Sequence, residues 1–121
     1  MKTVKLGPQN RPKKLALHWR WQRITAWLLL PLSLWLMTNF ALYFNDSYET
    51  VRAWASTALV STLLILTLVL LLFHAHLGLL VIIDDYFRGQ EKKLLERVLN
   101  LIFFLGCMTS IVSVSIVYLG N

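Results

Sequence analysis

The stretch AWASTALVSTLLILTLVLLLFHAHLGLLVII, residues 53–83, contains no Asp, Glu, Lys or Arg. A helix needs about 20 mostly apolar residues to cross about 30 Å of hydrocarbon, so this segment is long enough to span a bilayer with some tilt. Residues 24–45 and 98–121 are equally free of charge. Across all 121 residues, 57% are hydrophobic and 15% charged, against about 45–50% and about 25% in an average soluble domain. Disorder, a disulfide scaffold and an ordinary soluble globule are excluded. The sequence predicts an all-α membrane protein with three transmembrane helices, at about residues 24–44, 57–83 and 98–119. They form a single anchor domain over residues 1–121, because the segments outside the membrane are too short to fold alone. So thin a bundle calls for a partner.

The net charge of +6 raises nucleic acid as a ligand, but its distribution points to membrane flanks. Lys2, Lys5, Arg11, Lys13, Lys14, Arg20 and Arg23 precede the first apolar stretch, and Arg88, Lys92, Lys93 and Arg97 lie between the second and third. Only Arg52 lies in the loop between the first and second. Cytoplasmic loops collect Lys and Arg, which predicts a cytoplasmic N-terminus, a periplasmic C-terminus and a multi-pass chain. A nucleic-acid surface would gather its bases on one folded face. The first apolar stretch starts too late and runs too long for a cleaved signal. The basic N-terminus, with no transit pattern, favours a bacterial inner membrane.

Residues 1–14 carry Gly7, Pro8 and Pro12 and show no apolar period, which predicts an irregular cytoplasmic tail. Trp19 and Trp21, interleaved with Arg20 and Arg23, suit the membrane–water boundary. Pro31 falls inside the first helix and frees a carbonyl there. In the loop NDSYETVRAW, Asp46 or Ser47 is a candidate cap for a small helix starting near Tyr48. Ser56, Thr57, Ser61, Thr62 and Thr67 can hydrogen-bond across helices, and Gly106 with Ser110, like Thr109 with Ser113, repeats small residues at a spacing that allows close approach. The single cysteine, Cys107, lies in the third apolar stretch and reads as a small buried apolar side chain.

Ionisable side chains inside a membrane helix are costly and mark candidate function. Two lie deep in the second helix: His74 and His76. At helical spacing they point about 200° apart, so they cannot ligate the same iron. Gly78 lies one turn beyond His74, about 40° round, and clears space on that face. His74 admits two readings: an interhelical hydrogen bond or wet-cavity residue, or an axial ligand to haem in a bundle core. For a six-coordinate haem the chain offers only His18 besides, and His18 sits at the cytoplasmic boundary, far above His74 in depth. The second ligand is therefore expected from another polypeptide.

Asp85 follows His74 by three turns and shares its face to within about 20°; Tyr86 is next to it. A carboxylate and a phenol at the cytoplasmic mouth can hydrogen-bond and protonate a quinone carbonyl. The alternative is a helix end with an interfacial tyrosine. Asp84 and Asp85 at a helix C-terminus oppose the macrodipole, which points to a role or to a partner's cations nearby. Arg23 and His18 either snorkel to lipid headgroups or pair with haem propionates.

The run His74-Ala75-His76-Leu77-Gly78, followed by Asp85-Tyr86, resembles the H-x3-G-x6-D-Y segment of succinate dehydrogenase membrane anchor subunits. His18-Trp19-x2-Gln22-Arg23-Ile24-Thr25-Ala26, running on to Pro31-Leu32 and Trp35, resembles the first helix of the small anchor, the D subunit, and the likeness spans about residues 15–119. The resemblance implies that His74 is one axial ligand of a haem b whose other histidine comes from the C-type anchor subunit. It implies that Tyr86 hydrogen-bonds ubiquinone with Asp85 beside it, and that Arg23 lies near the haem propionates and quinone. His18, His76 and Asp84 are not carried across in the same way. The chain has no dinucleotide fingerprint and no cysteine cluster, so FAD and iron–sulfur clusters are expected on a flavoprotein subunit and an iron–sulfur subunit. The implied activity is that of a succinate:ubiquinone oxidoreductase, with the succinate chemistry on those partners. A fumarate reductase anchor and a non-redox membrane scaffold are the alternatives.

Overall fold

The computed structural model describes the backbone of residues 11–120 and side chains from Ala16 onward. Residues 1–10, where most of the predicted tail falls, and Asn121 lie outside the described residues. Within them are four helices and no strand: α1 (Arg11–Tyr43), α2 (Tyr48–Ala55), α3 (Ala58–Tyr86) and α4 (Gly89–Leu119). Three of these, over Ala16–Tyr43, Ala58–Tyr86 and Gly89–Leu119, are long and apolar enough to cross a membrane. The protein is an all-α membrane protein.

The helices outrun the apolar segments at the basic end of the chain. Helical hydrogen bonding satisfies the backbone whether the side chains are apolar or not, so α1 continues back through the Trp19–Arg23 region to Arg11. This corrects the irregular reading of residues 11–14. Pro12 is tolerated because it sits in the first turn, where the N–H it lacks has no intrahelical acceptor. Similarly, α4 starts at Gly89, well before the apolar stretch. Only Phe87 and Arg88 separate α3 from α4, and Gly89 turns the chain with φ +71°, a left-handed conformation that glycine adopts without penalty.

At the other end, Ser47 caps α2, its hydroxyl accepting from the Thr50 N–H at 3.3 Å, as expected for a residue that satisfies an orphan donor. Trp54 of α2 stacks on Trp35 and lies against Tyr43, both of α1. Arg52 donates to the Gly120 carbonyl at 3.0 Å, tying α2 to the end of α4.

The long helices form a layer with α3 in the middle, packed on α1 and on α4. Gly106 lets α4 come close, since a Cβ there would lie 3.3 Å from the Leu72 side chain. The hydroxyls behave more locally than the sequence suggested. Those of Thr62, Thr67, Thr109 and Ser110 donate to carbonyls four residues back in their own helices, whereas Ser61 reaches the Ala55 carbonyl of α2. Few apolar side chains are buried, Leu29, Leu77 and Ile83 among them, while Trp27, Met37, Phe40 and Leu59 are highly exposed. A layer this thin leaves most of its apolar surface to lipid and to other polypeptides.

Candidate functional site

The two histidines of α3 face different neighbours. His74 turns toward α1, where its Nδ1 lies 2.9 Å from Thr25 Oγ1. His76 turns toward α4, where its Nε2 lies 2.7 Å from Asn100 Oδ1 and its ring lies against Phe103 at 4.7 Å between centroids. The angular separation read from the sequence is thus realised as two separate seams.

Thr25 is fully buried in the α1–α3 seam, only 1% exposed. The register is set by its neighbours. Trp21 meets Phe73 edge-to-face at 6.3 Å, and Gln22 lies beside Gly78, whose added Cβ would meet Gln22 Nε2 at 3.3 Å. Gly78 therefore serves helix packing, and the clearance beside it is occupied by Gln22.

This register also fixes depths. Thr25 is level with His74, so His18, seven residues earlier, lies about 10 Å nearer the basic end at 1.5 Å per residue. His18 and His74 are not brought together. Arg23 is exposed, with its guanidinium carbon 4.9 Å from the Trp19 ring centroid, a cation–π pair along the helix surface. Among the described residues no three His, Cys, Asp or Glu side chains cluster as metal ligands.

Tyr86 ends α3 and is 80% exposed, about 18 Å along the axis from His74. Asp85 is exposed beside it. Asp84 has a separate role: it pairs with Lys92 at 2.6 Å across the α3–α4 turn. The cation beside the two acids is thus this chain's own Lys92, where the sequence pointed to a partner's cations. The turn thus holds Asp84 in an ion pair and leaves Asp85 and Tyr86 at the surface. Arg20, Arg23, Arg88, Lys92, Lys93 and Arg97 all fall at this end of the layer.

Thr25 is the site residue that sequence reasoning missed. It stands in the quoted Gln22-Arg23-Ile24-Thr25-Ala26 run, but only the α1–α3 register brings its hydroxyl to an imidazole. A haem iron takes a neutral imidazole nitrogen. His74 has Nδ1 engaged, while its Nε2 makes no hydrogen bond among the described residues and is not one of the buried unpartnered atoms. His76 has the reverse arrangement: Nε2 is engaged and Nδ1 is buried without a partner. Of the three histidines, His74 is the one whose chemistry fits a haem: it would hold the group through Nε2.

The family described as Succinate dehydrogenase/Fumarate reductase transmembrane subunit matches residues 8–113. A succinate dehydrogenase membrane anchor subunit of Reclinomonas americana is 29% identical over 119 residues, covering 96% of this chain and 99% of that protein. A succinate dehydrogenase hydrophobic membrane anchor subunit of Rickettsia conorii is 30% identical over 120 residues, covering 97% and 93%. Another from Rickettsia bellii is 37% identical over 84 residues, covering 69% and 66%. No solved structure matches the chain at a significant level. The three-span layer and these matches together place the chain in the family of succinate dehydrogenase membrane anchor subunits.

Proposed function

We propose that this chain anchors a succinate:ubiquinone oxidoreductase in a bacterial inner membrane, shares a haem b with a second, C-type anchor subunit, and forms part of the quinone reduction site. The observation that carries the reading is the placement of His74 and Tyr86. One imidazole in the membrane interior is pinned at Nδ1 and open at Nε2, and one phenol lies exposed about 18 Å along the same helix. The anchor family and the similarity to Rickettsia proteins support the complex and the membrane. The cluster of basic side chains at one end suits docking of an iron–sulfur subunit, which in turn carries the FAD-containing flavoprotein.

His74 would hold a haem through Nε2, and a further histidine would come from the partner anchor, because His76 faces α4 and His18 lies at another depth. When bound, haem supplies a one-electron redox centre. At the mouth, the Tyr86 hydroxyl donates to a quinone carbonyl and favours its reduction. Asp85, exposed beside it, takes protons from the cytoplasmic side and delivers them to the quinone oxygens. Succinate loses two electrons and two protons on the flavoprotein; ubiquinone gains two of each at the Tyr86 end. Arg23 lies on α1 at this end and orients anionic groups, with its guanidinium backed by Trp19.

The test is to measure haem content, succinate oxidation with a soluble dye, and quinone-linked activity in the purified complex and in its Tyr86→Phe variant. The reading expects haem and dye-linked activity to persist while quinone reduction falls. Full quinone reduction by Tyr86→Phe overturns the site assignment. Orientation has its own check. Cysteine at Ser47 should react with an impermeant thiol reagent from outside intact cells and cysteine at Gln90 should not; the opposite pattern puts the quinone site on the wrong face.

A further inference from the structure

We infer that Thr25 is the positioning residue that sets the tautomer and ring orientation of His74, so that Nε2 presents its lone pair to iron. This rests on the haem reading above.

The hydroxyl of Thr25 lies 2.8 Å from the Trp21 carbonyl and 3.1 Å from the Gln22 carbonyl, within its own helix. A threonine hydroxyl has one hydrogen and two acceptor lone pairs, and carbonyls only accept. Its hydrogen goes back to those carbonyls, the usual bond of a helical threonine. Toward His74 it therefore accepts, and the proton across the 2.9 Å contact belongs to Nδ1. A neutral imidazole carries one ring hydrogen, so Nε2 is left unprotonated. The threonine itself has little freedom, being β-branched and 1% exposed.

Metal-bound histidines nearly always donate their other ring N–H to an outer acceptor, and that acceptor fixes the ring and raises its basicity. Thr25 occupies that position for His74. His76 has the opposite polarity: Asn100 holds its Nε2. A bond that served only as interhelical glue would influence the association of α1 with α3. A positioning bond also changes the electronic properties of the iron, and the two are separable.

The experiment uses the whole purified complex with Thr25→Val, Thr25→Ser, Thr25→Cys and His74→Ala. Haem content, haem loss to an excess of apomyoglobin, and the haem midpoint potential are measured. Valine keeps the shape and removes the acceptor, so haem affinity should fall by about 10–100-fold. The potential should rise, because an imidazole that no longer shares its Nδ1 proton donates less to the ferric iron. Serine should restore both. Cysteine, a weak acceptor, should fall between, which keeps the test open if the valine complex does not assemble. The inference is overturned if His74→Ala lacks haem while the valine and cysteine variants match the parent in haem retention and potential. It is equally overturned if serine fails to restore them. Retention of haem by His74→Ala overturns the haem reading itself, and the Thr25 inference with it.

Discussion

The two seams of α3 carry a histidine each, two residues apart, and finish them differently. On the α1 side, His74 meets a buried threonine at Nδ1 and leaves Nε2 without a partner among the described residues. On the α4 side, His76 is stacked on Phe103, held by Asn100 at Nε2, and closed over at Nδ1. The second is a side chain whose polar demand is met inside the layer, apart from one buried nitrogen. The first holds one nitrogen fixed and has the other to offer. A histidine inside a membrane helix is thus no sufficient sign of a cofactor; which nitrogen is occupied, and by what, separates ligand from glue.

The largest expected effect follows directly. His74→Ala should remove haem from the complex, whereas His76→Ala should retain it, as measured by the pyridine haemochrome of each purified variant. Loss of haem from both would erase the distinction between the seams.

Tyr86→Phe comes next. It keeps the ring and removes only the hydroxyl, so packing is barely altered. Quinone reduction should fall by at least about tenfold, the scale of roughly 1.4 kcal/mol for one lost polar contact. His76→Ala should leave the same rate within about twofold. Quinone-linked turnover, set against dye-linked turnover in the same preparations, checks both.

The α3–α4 seam has its own smaller prediction. A double-mutant cycle of His76→Ala with Asn100→Ala, read from resistance of the complex to denaturant, should give a coupling of about 0.6 kcal/mol, and no more than about 1.7. A coupling near zero would mean that this hydrogen bond holds nothing, and would leave His76 as unexplained as a cofactor ligand. Smallest is Lys92→Ala. Its partner Asp84 and the lysine are each about a third exposed, so the pair should contribute no more than about 0.5 kcal/mol in the same measurement, with no change in quinone turnover.

Much of this was legible in the sequence because bilayers impose simple demands. Charge-free runs longer than a membrane is thick located all three spans, and the cap signal at Asp46 or Ser47 located α2. The 200° between His74 and His76 followed from helical geometry alone. What stayed hidden depends on register between helices, which no local pattern encodes. Thr25 was visible only as part of a motif, Gln22 was not seen to fill the space beside Gly78, and Lys92 was not matched to Asp84. The helix ends depart from the apolar runs for a related reason. Apolarity marks where the membrane lies, whereas backbone hydrogen bonding carries α1 and α4 beyond it, through Arg11 and back to Gly89. The serines and threonines show the same limit: composition offers hydroxyls for interhelical bonds, but Thr62 and Thr67 satisfy theirs within the helix.

The central claim is that this chain supplies one haem ligand, from the α1 face of α3, and that a second polypeptide supplies the other. The reduced-minus-oxidised spectrum of the purified wild-type complex, taken with its haem-to-protein ratio, tests it most directly. A b-type band and one haem for each copy of this chain are expected, present only when the partner anchor is bound. A complex that is active with quinone and shows no b-type band would contradict it, as would haem held by this chain alone.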